Sequence, residues 1–207
     1  MAIFDDFTGT NLGPLNAAKW TVDQGNWLIF SNTANAQDAA FPNLARYTGE
    51  AAPSANHYAQ IVETNAAGGG PAVRLDSSKN GYFARTFWDG SVSIQRLDAG
   101  SATEIAISST GVFALGDTVR LEADGSTIRA KVNGGQVASA TDSTHSTQTS
   151  VGMIEVGANG ALQDNFEGGA LGGEGGGISW LPRHSTIRGE SGATMLPGGM
   201  TPPHRPG

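Results

Sequence analysis

Few residues in this chain have the type and spacing for chemistry. Glu122-Ala123-Asp124-Gly125-Ser126-Thr127 supplies two carboxylates, the groups that glycoside hydrolysis uses in pairs. Thr127 stands where a third carboxyl would extend the set. Gly189-Glu190-Ser191-Gly192-Ala193 approaches the turn that presents a nucleophilic serine, but it lacks the last glycine and a preceding strand. His57, His145, His184 and His204 are scattered, with no i, i+4 pair and no cysteine partner, so they make no zinc-type set. Asp5, Asp6 and Asp164 are oxygen ligands of the kind Ca²⁺ takes, and they converge if the terminal strands pair. Ordinary acids at strand ends are the plainer reading, and neither a metal nor a cofactor is expected.

Binding chemistry is better represented. Tyr82, Trp88 and Arg96 lie on or beside one expected hairpin, where aromatic faces with a nearby guanidinium would stack on a sugar or hold a protein partner. Tyr82 and Phe87 fall on opposite faces by parity, so some of these aromatics belong to the core. Trp88, beside Asp89-Gly90, suits the core and the surface equally. Trp20 and Trp27 sit inside expected strands and read as core. Trp180 has no local core around it and is the strongest single anchor for a partner.

The elements that must carry these residues are strands. Between Gly116 and Gly135 two alternating runs flank Asp124-Gly125, which reads as the two-residue loop of a tight hairpin. That register sets Leu121 opposite Ile128 and Val119 opposite Ala130. It puts the apolar side chains on one face and Arg120, Glu122, Arg129 and Lys131 on the other, with Arg120 facing Arg129. Asn133-Gly134 reads as a second turn, returning Gln136 to Ala140 alongside.

Further strands are expected over 2–7, 19–22, 25–30, 43–47, 57–63, 71–76, 82–87, 91–97, 103–108, 150–156 and 161–166. The run Gly68-Gly69-Gly70 reads as a loop. Turn signals recur about every 8–12 residues, the mark of an all-β antiparallel sandwich or barrel. Residues 1–168 form the expected β-sandwich domain. Residues 169–207 form an extended Gly/Pro-rich C-terminal arm, entered through a glycine-rich linker that begins at Glu167. In the arm Trp180, Leu181, Pro182, Ile187, Met195 and Leu196 are the groups able to fill a partner's pockets.

With 207 residues the chain suits one domain plus an appendage. A formal charge of −7 and only three lysines (Lys19, Lys79 and Lys131) argue against nucleic acid. There is no cysteine, hence no disulfide framework. No stretch reaches membrane-spanning length. The start, Met1 to Asp6, has neither a basic n-region nor an apolar h-region, so no secretion signal is expected.

Several segments carry a family resemblance. Phe4-Asp5-Asp6-Phe7, Gly13-Pro14-Leu15, Lys19-Trp20, Gly70-Pro71-Ala72-Val73-Arg74, Gly81-Tyr82, Gly116 to Glu122, Val132-Asn133-Gly134 and Asp164-Asn165-Phe166-Glu167-Gly168-Gly169 resemble the concanavalin A-like, laminin-G-like jelly rolls. Such domains occur in bacterial carbohydrate-associated proteins and in tailed-phage virion proteins. The resemblance implies a jelly-roll sandwich over about residues 1–168 and is poor for function. It implies first a non-enzymatic virion component, a capsid decoration or tail protein made in the host cytoplasm. In that reading the sandwich projects outward and the arm binds other virion proteins or sister copies. It implies, as the alternative, a module that binds a host or environmental glycan. A β-glucanase of this fold carries Glu-x-Asp-x-x-Glu on a continuing strand. Thr127 and the expected turn at Asp124-Gly125 break that motif, and no hydrolase is expected.

Overall fold

A computed structural model describes residues 3–39, 41–50, 54–65, 67–157 and 161–171. The arm residues Trp180, Leu181, Pro182, Ile187, Met195 and Leu196 lie outside them. The described strands are β1 (Ile3–Asp5), β2 (Trp20–Gln24), β3 (Trp27–Phe30), β4 (Thr33–Ala36) and β5 (Asn43–Tyr47). They continue as β6 (His57–Glu63), β7 (Gly69–Leu75), β8 (Gly81–Thr86), β9 (Val92–Asp98) and β10 (Ser101–Ile107). The last are β11 (Thr118–Asp124), β12 (Thr127–Val132), β13 (Gly135–Thr141), β14 (Ser150–Glu155) and β15 (Gln163–Ala170). No helix occurs among the described residues.

Two antiparallel sheets make the sandwich. The larger runs β13-β12-β11-β6-β15-β4-β3, with β1 also paired to β15; the smaller runs β10-β9-β8-β7-β14-β5-β2. The first and last strands do meet, Ile3 opposite Gly168 and Asp5 opposite Phe166. An aromatic cluster packs beneath this junction. Trp20 contacts Phe7, Tyr47 and Phe166 with ring centroids 5.8, 5.2 and 4.8 Å away, and its indole Nε1 donates to Asp5 Oδ2 at 2.7 Å. A large aromatic can be buried here because its one polar atom finds an acceptor.

The β11–β12 hairpin differs from expectation in register and agrees in faces. Asp124 pairs with Thr127, Ala123 with Ile128, Leu121 with Ala130 and Val119 with Val132. The loop is therefore Gly125-Ser126, and positive φ falls on Gly125 (57°) but not on Ser126. That distribution belongs to a type II′ turn, in which glycine takes the first loop position. The loop moves by one residue and each pairing by two, so parity is kept and Val119, Leu121, Ala123, Ile128 and Ala130 are all buried. Arg120 now faces Lys131, and Glu122 faces Arg129.

Other differences have local causes. Thr33-Ala34-Asn35-Ala36 forms β4, although small and polar residues signal a strand weakly. Gly69 and Gly70 belong to β7 rather than to a loop. A side chain at Gly70 would collide with the Ala84 carbonyl, so glycine serves there for close approach of two strands. Gly168, Gly169 and Ala170 belong to β15 and pair with Ala59, Tyr58 and His57. The last strand thus runs past residue 168, and Leu171 N still donates to Asn56 O at 2.8 Å.

Candidate functional site

Alternation along β6, β11, β12 and β15 sends one set of side chains inward and another to the outer face of the larger sheet. Strand pairing aligns the outward set in two rows. One runs Phe4, Glu167, Gln60, Arg120, Lys131 and Gln136 across six strands. The other runs Gly169, Tyr58, Glu122, Arg129 and Ser139. Polar groups from four neighbouring strands are thereby held side by side.

These groups grip one another. Lys131 Nζ donates to Glu122 Oε1 at 2.8 Å. Arg120 Nε lies 2.9 Å from the same oxygen, but its N–H is not aimed there, so that contact is ionic. The Arg120 guanidinium stacks on the Tyr58 ring, 3.6 Å from its centre. Tyr58 Oη donates to Glu167 Oε1, and Gln60 Nε2 donates to Glu167 Oε2 at 3.1 Å. Arg129 Nη1 reaches Asp124 Oδ2 at 3.2 Å. Glu122, at 4% exposure, is the floor of the arrangement. Above it lies a groove of about 440 Å³, lined among the described residues by Arg120, Glu122, Asp124, Arg129, Lys131, Gly134, Ala170 and Leu171.

A buried cation anchors one end of the groove. Arg74 is fully buried; its Nη2 donates to Gly125 O at 2.7 Å and to Ala55 O at 3.0 Å. Its backbone N–H donates to His57 Nε2 at 3.0 Å. His57 Nδ1 must then carry the ring proton, which it gives to Ser54 O at 2.6 Å. Burial pushes His57 down to about 4, so the ring is neutral at ordinary pH. Asn56 Oδ1 accepts from Gly125 N at 2.9 Å. The hairpin loop that follows Asp124 is thus tied to the 54–56 segment.

The aromatic surface expected from the sequence is not assembled. Tyr82 is fully buried in the core, whereas Trp88 is 74% exposed. Tyr82 lies near the start of β8, and Trp88 lies in the turn beyond its end at Thr86. Tyr82 Oη donates to Asp142 Oδ1 at 2.8 Å, which satisfies the hydroxyl inside. Arg96 pairs with Tyr82 across the strands, and its guanidinium bridges Asp98 (2.9 Å) and Asp142 (2.8 Å). Of the three, Tyr82 is buried, Arg96 is half-buried in its ion pairs and Trp88 is exposed.

The terminal acids are also spoken for. Asp5 accepts from Phe7 N and Trp20 Nε1, Asp6 from Thr8, and Asp164 from Asn165. The described residues contain no cluster of three groups able to hold a metal ion. The strands converge, and each of the three carboxylates is engaged by donors of the protein itself.

Inside the sandwich two carboxyls are fully buried, Glu63 on β6 and Glu155 on β14. Gly69 N and Thr86 Oγ1 donate to Glu63, and Ala36 N donates to Glu155 Oε2 at 2.8 Å. Burial pushes Glu63 up to about 7. Burial, with the charge of Glu63 adding to it, pushes Glu155 up to about 8.

Parity within the hairpin puts Arg120, Glu122, Arg129 and Lys131 on the solvent face. It does not reach Tyr58 and Gln60, whose only signal is the alternation of His57 to Glu63, nor Glu167 on the last strand. No family model and no curated protein matches the chain by sequence. Solved structures do match in shape. A CBM66 carbohydrate-binding module from Bacillus subtilis aligns with a TM-score of 0.55 at 20% identity, over 72% of this chain and 91% of that one. A protein of unknown function with a galectin-like fold, also from Bacillus subtilis, gives 0.54 at 8%, over 81% and 94%. The Crh5 transglycosylase gives 0.54 at 13%, over 82% and 84%. The expected kinship with virion proteins finds no support in these likenesses. The chain is an antiparallel jelly-roll β-sandwich of the kind these structures share.

Proposed function

We propose that this chain is a non-catalytic carbohydrate-binding β-sandwich that takes its glycan on the outer face of the larger sheet. One observation carries the reading: Tyr58, Gln60, Arg120, Glu122, Lys131 and Glu167, from four adjacent strands, are already locked together on this face, and Arg120, Glu122 and Lys131 among them line its groove. Ordering a long charged side chain costs about 1–2 kcal/mol of rotamer entropy. Here that cost is met on folding, so a ligand finds fixed donors and acceptors. Sugars, which offer many weak and directional hydroxyls, profit most from such preorganisation. The likeness to a carbohydrate-binding module supports a sandwich of this shape in that role, although fold alone does not assign function.

Hydrolysis is disfavoured by the same geometry. Both cations sit on one oxygen of Glu122, and Thr127 leaves the three-carboxyl motif incomplete. The test is affinity electrophoresis of the intact chain against a panel of soluble polysaccharides, beside Arg120→Ala and a reducing-end assay. Retardation by a polysaccharide, lost in an Arg120→Ala variant that still folds and melts cooperatively, is expected. A folded protein that no polysaccharide retards would overturn the proposal. Turnover abolished by Glu122→Gln would replace binding with catalysis.

A further inference from the structure

The groove is charged against the trend of the chain. Overall there are 12 Lys and Arg against 19 Asp and Glu, yet the groove is lined by three cations (Arg120, Arg129, Lys131) and two acids (Glu122, Asp124), a balance of +1. Depth sharpens the contrast. The Glu122 side chain is 5% exposed, beneath Arg120 at 19%, Lys131 at 28% and Arg129 at 30%. The acid is the floor and the cations form the rim. Asp124, at 46%, stands at the hairpin-turn end and pairs with Arg129. Glu167 lies beyond Tyr58 on β15, turned to Tyr58 and Gln60, and is not among the groove's lining residues.

Two of these cations are held in place. Arg120 is fixed between the Tyr58 ring and Glu122, and Lys131 by Glu122. One carboxylate shared by two cations leaves a positive surplus that solvent and counter-ions must meet in the free protein. An anionic group over the rim would replace them with charge-assisted hydrogen bonds, and a guanidinium fork takes a carboxylate or sulfate two oxygens at a time. A neutral hydroxyl cannot offset that surplus.

We infer that the groove selects anionic glycans, those bearing carboxylate or sulfate groups, with Arg129 and Lys131 reading the charge. This rests on the glycan-binding proposal and narrows its ligand class. The test is affinity electrophoresis of the full chain with polygalacturonate, dextran sulfate and unmodified dextran, and with duplex DNA as a polyanion of another class. Retardation by polygalacturonate, dextran sulfate or both, weakening as salt rises, is expected, and which of the two binds identifies the charged group. Arg129→Gln should lose about tenfold to a hundredfold in affinity, the worth of a hydrogen bond to a charged group. Arg129→Lys should keep part of it, and Lys131→Gln should reproduce the loss. Arg129 is on the surface, so an unchanged melt of Arg129→Gln is the control for folding. Dextran bound as well as the charged polymers, or an Arg129→Gln variant with full affinity, would overturn charge selection while leaving glycan binding intact. Equal retardation by DNA would overturn selection for glycans. Failure of every polysaccharide would overturn both proposals.

Discussion

The guanidinium carbon of Arg120 lies 3.6 Å from the centre of the Tyr58 ring, and this contact joins the two halves of the outer face. On one side Arg120 leads through Glu122 to Lys131; on the other Tyr58 leads through Glu167 to Gln60. The larger sheet therefore carries one connected polar layer from β12 to β15. Fixing a cation over a ring removes freedom that each would otherwise keep in solvent.

The first prediction follows from that contact. In a double-mutant cycle of Arg120→Ala and Tyr58→Leu, followed by thermal melts, the pair should couple by about 0.5–2 kcal/mol. Purely additive effects would show that stacking contributes nothing beyond packing. Tyr58→Phe keeps the ring and removes the hydroxyl that bonds Glu167, so it should retain the coupling to Arg120.

The second concerns the hairpin's buried face. Leu121 is fully buried, and Leu121→Ala should cost about 2–5 kcal/mol in denaturant unfolding. Substitution of the outward Arg129 by alanine should stay within about 0.5 kcal/mol, as exposed ion pairs contribute little. The reverse order would mean the faces are exchanged.

How far these faces were legible depends on the physics behind each signal. Alternation survives a two-residue shift of pairing, so the inward positions of Val119, Leu121 and Ile128 were readable although the loop was misplaced. The loop itself was not, because Asp124-Gly125 and Gly125-Ser126 both supply a glycine at positive φ. β4 was invisible: Thr33 to Ala36 owes its strand state to its neighbours β3 and β15, not to propensity. The charged half of the groove followed from parity within one hairpin. Its meeting with Tyr58 and Glu167 required β6 to lie between β11 and β15, a long-range order that no local pattern encodes. Trp88 and Tyr82 show the same limit, since parity separates faces but does not say which end of a hairpin the core covers.

A third prediction uses a close approach within the smaller sheet. Gly70 on β7 faces the Ala84 carbonyl of β8 with no room for a side chain, and the obstacle is backbone rather than a movable side chain. Gly70→Ala should lower the melting temperature sharply or prevent folding. Gly111→Ala, where nothing lies near the added carbon, should lose only what its positive φ of 74° demands, about 1–2 kcal/mol. Equal, small effects at both sites would sink the close-packing argument.

The last prediction is a pH profile. Glu63 and Glu155 are raised from 4.5 to about 7 and about 8 by burial, so between those values the folded chain holds protons that the unfolded chain has released. Stability then falls as pH rises, because the native state binds more protons. His57 works against this trend: its folded value, about 4 against 6.5, makes stability rise across that interval. Below about 6.5 the histidine offsets part of the loss from the carboxyls. Above it only the carboxyls act, so the melting temperature should drop most steeply between about pH 6.5 and 7, fall more gently from there to about 8 while Glu155 alone titrates, and level off beyond. Glu155→Gln keeps an acceptor for Ala36 N and removes one of the two ionisations. It should flatten the descent and melt above the parent at pH 8. A parent whose melting temperature rises through this interval, or a variant whose profile is unchanged, would show that the buried pair does not govern the alkaline limb.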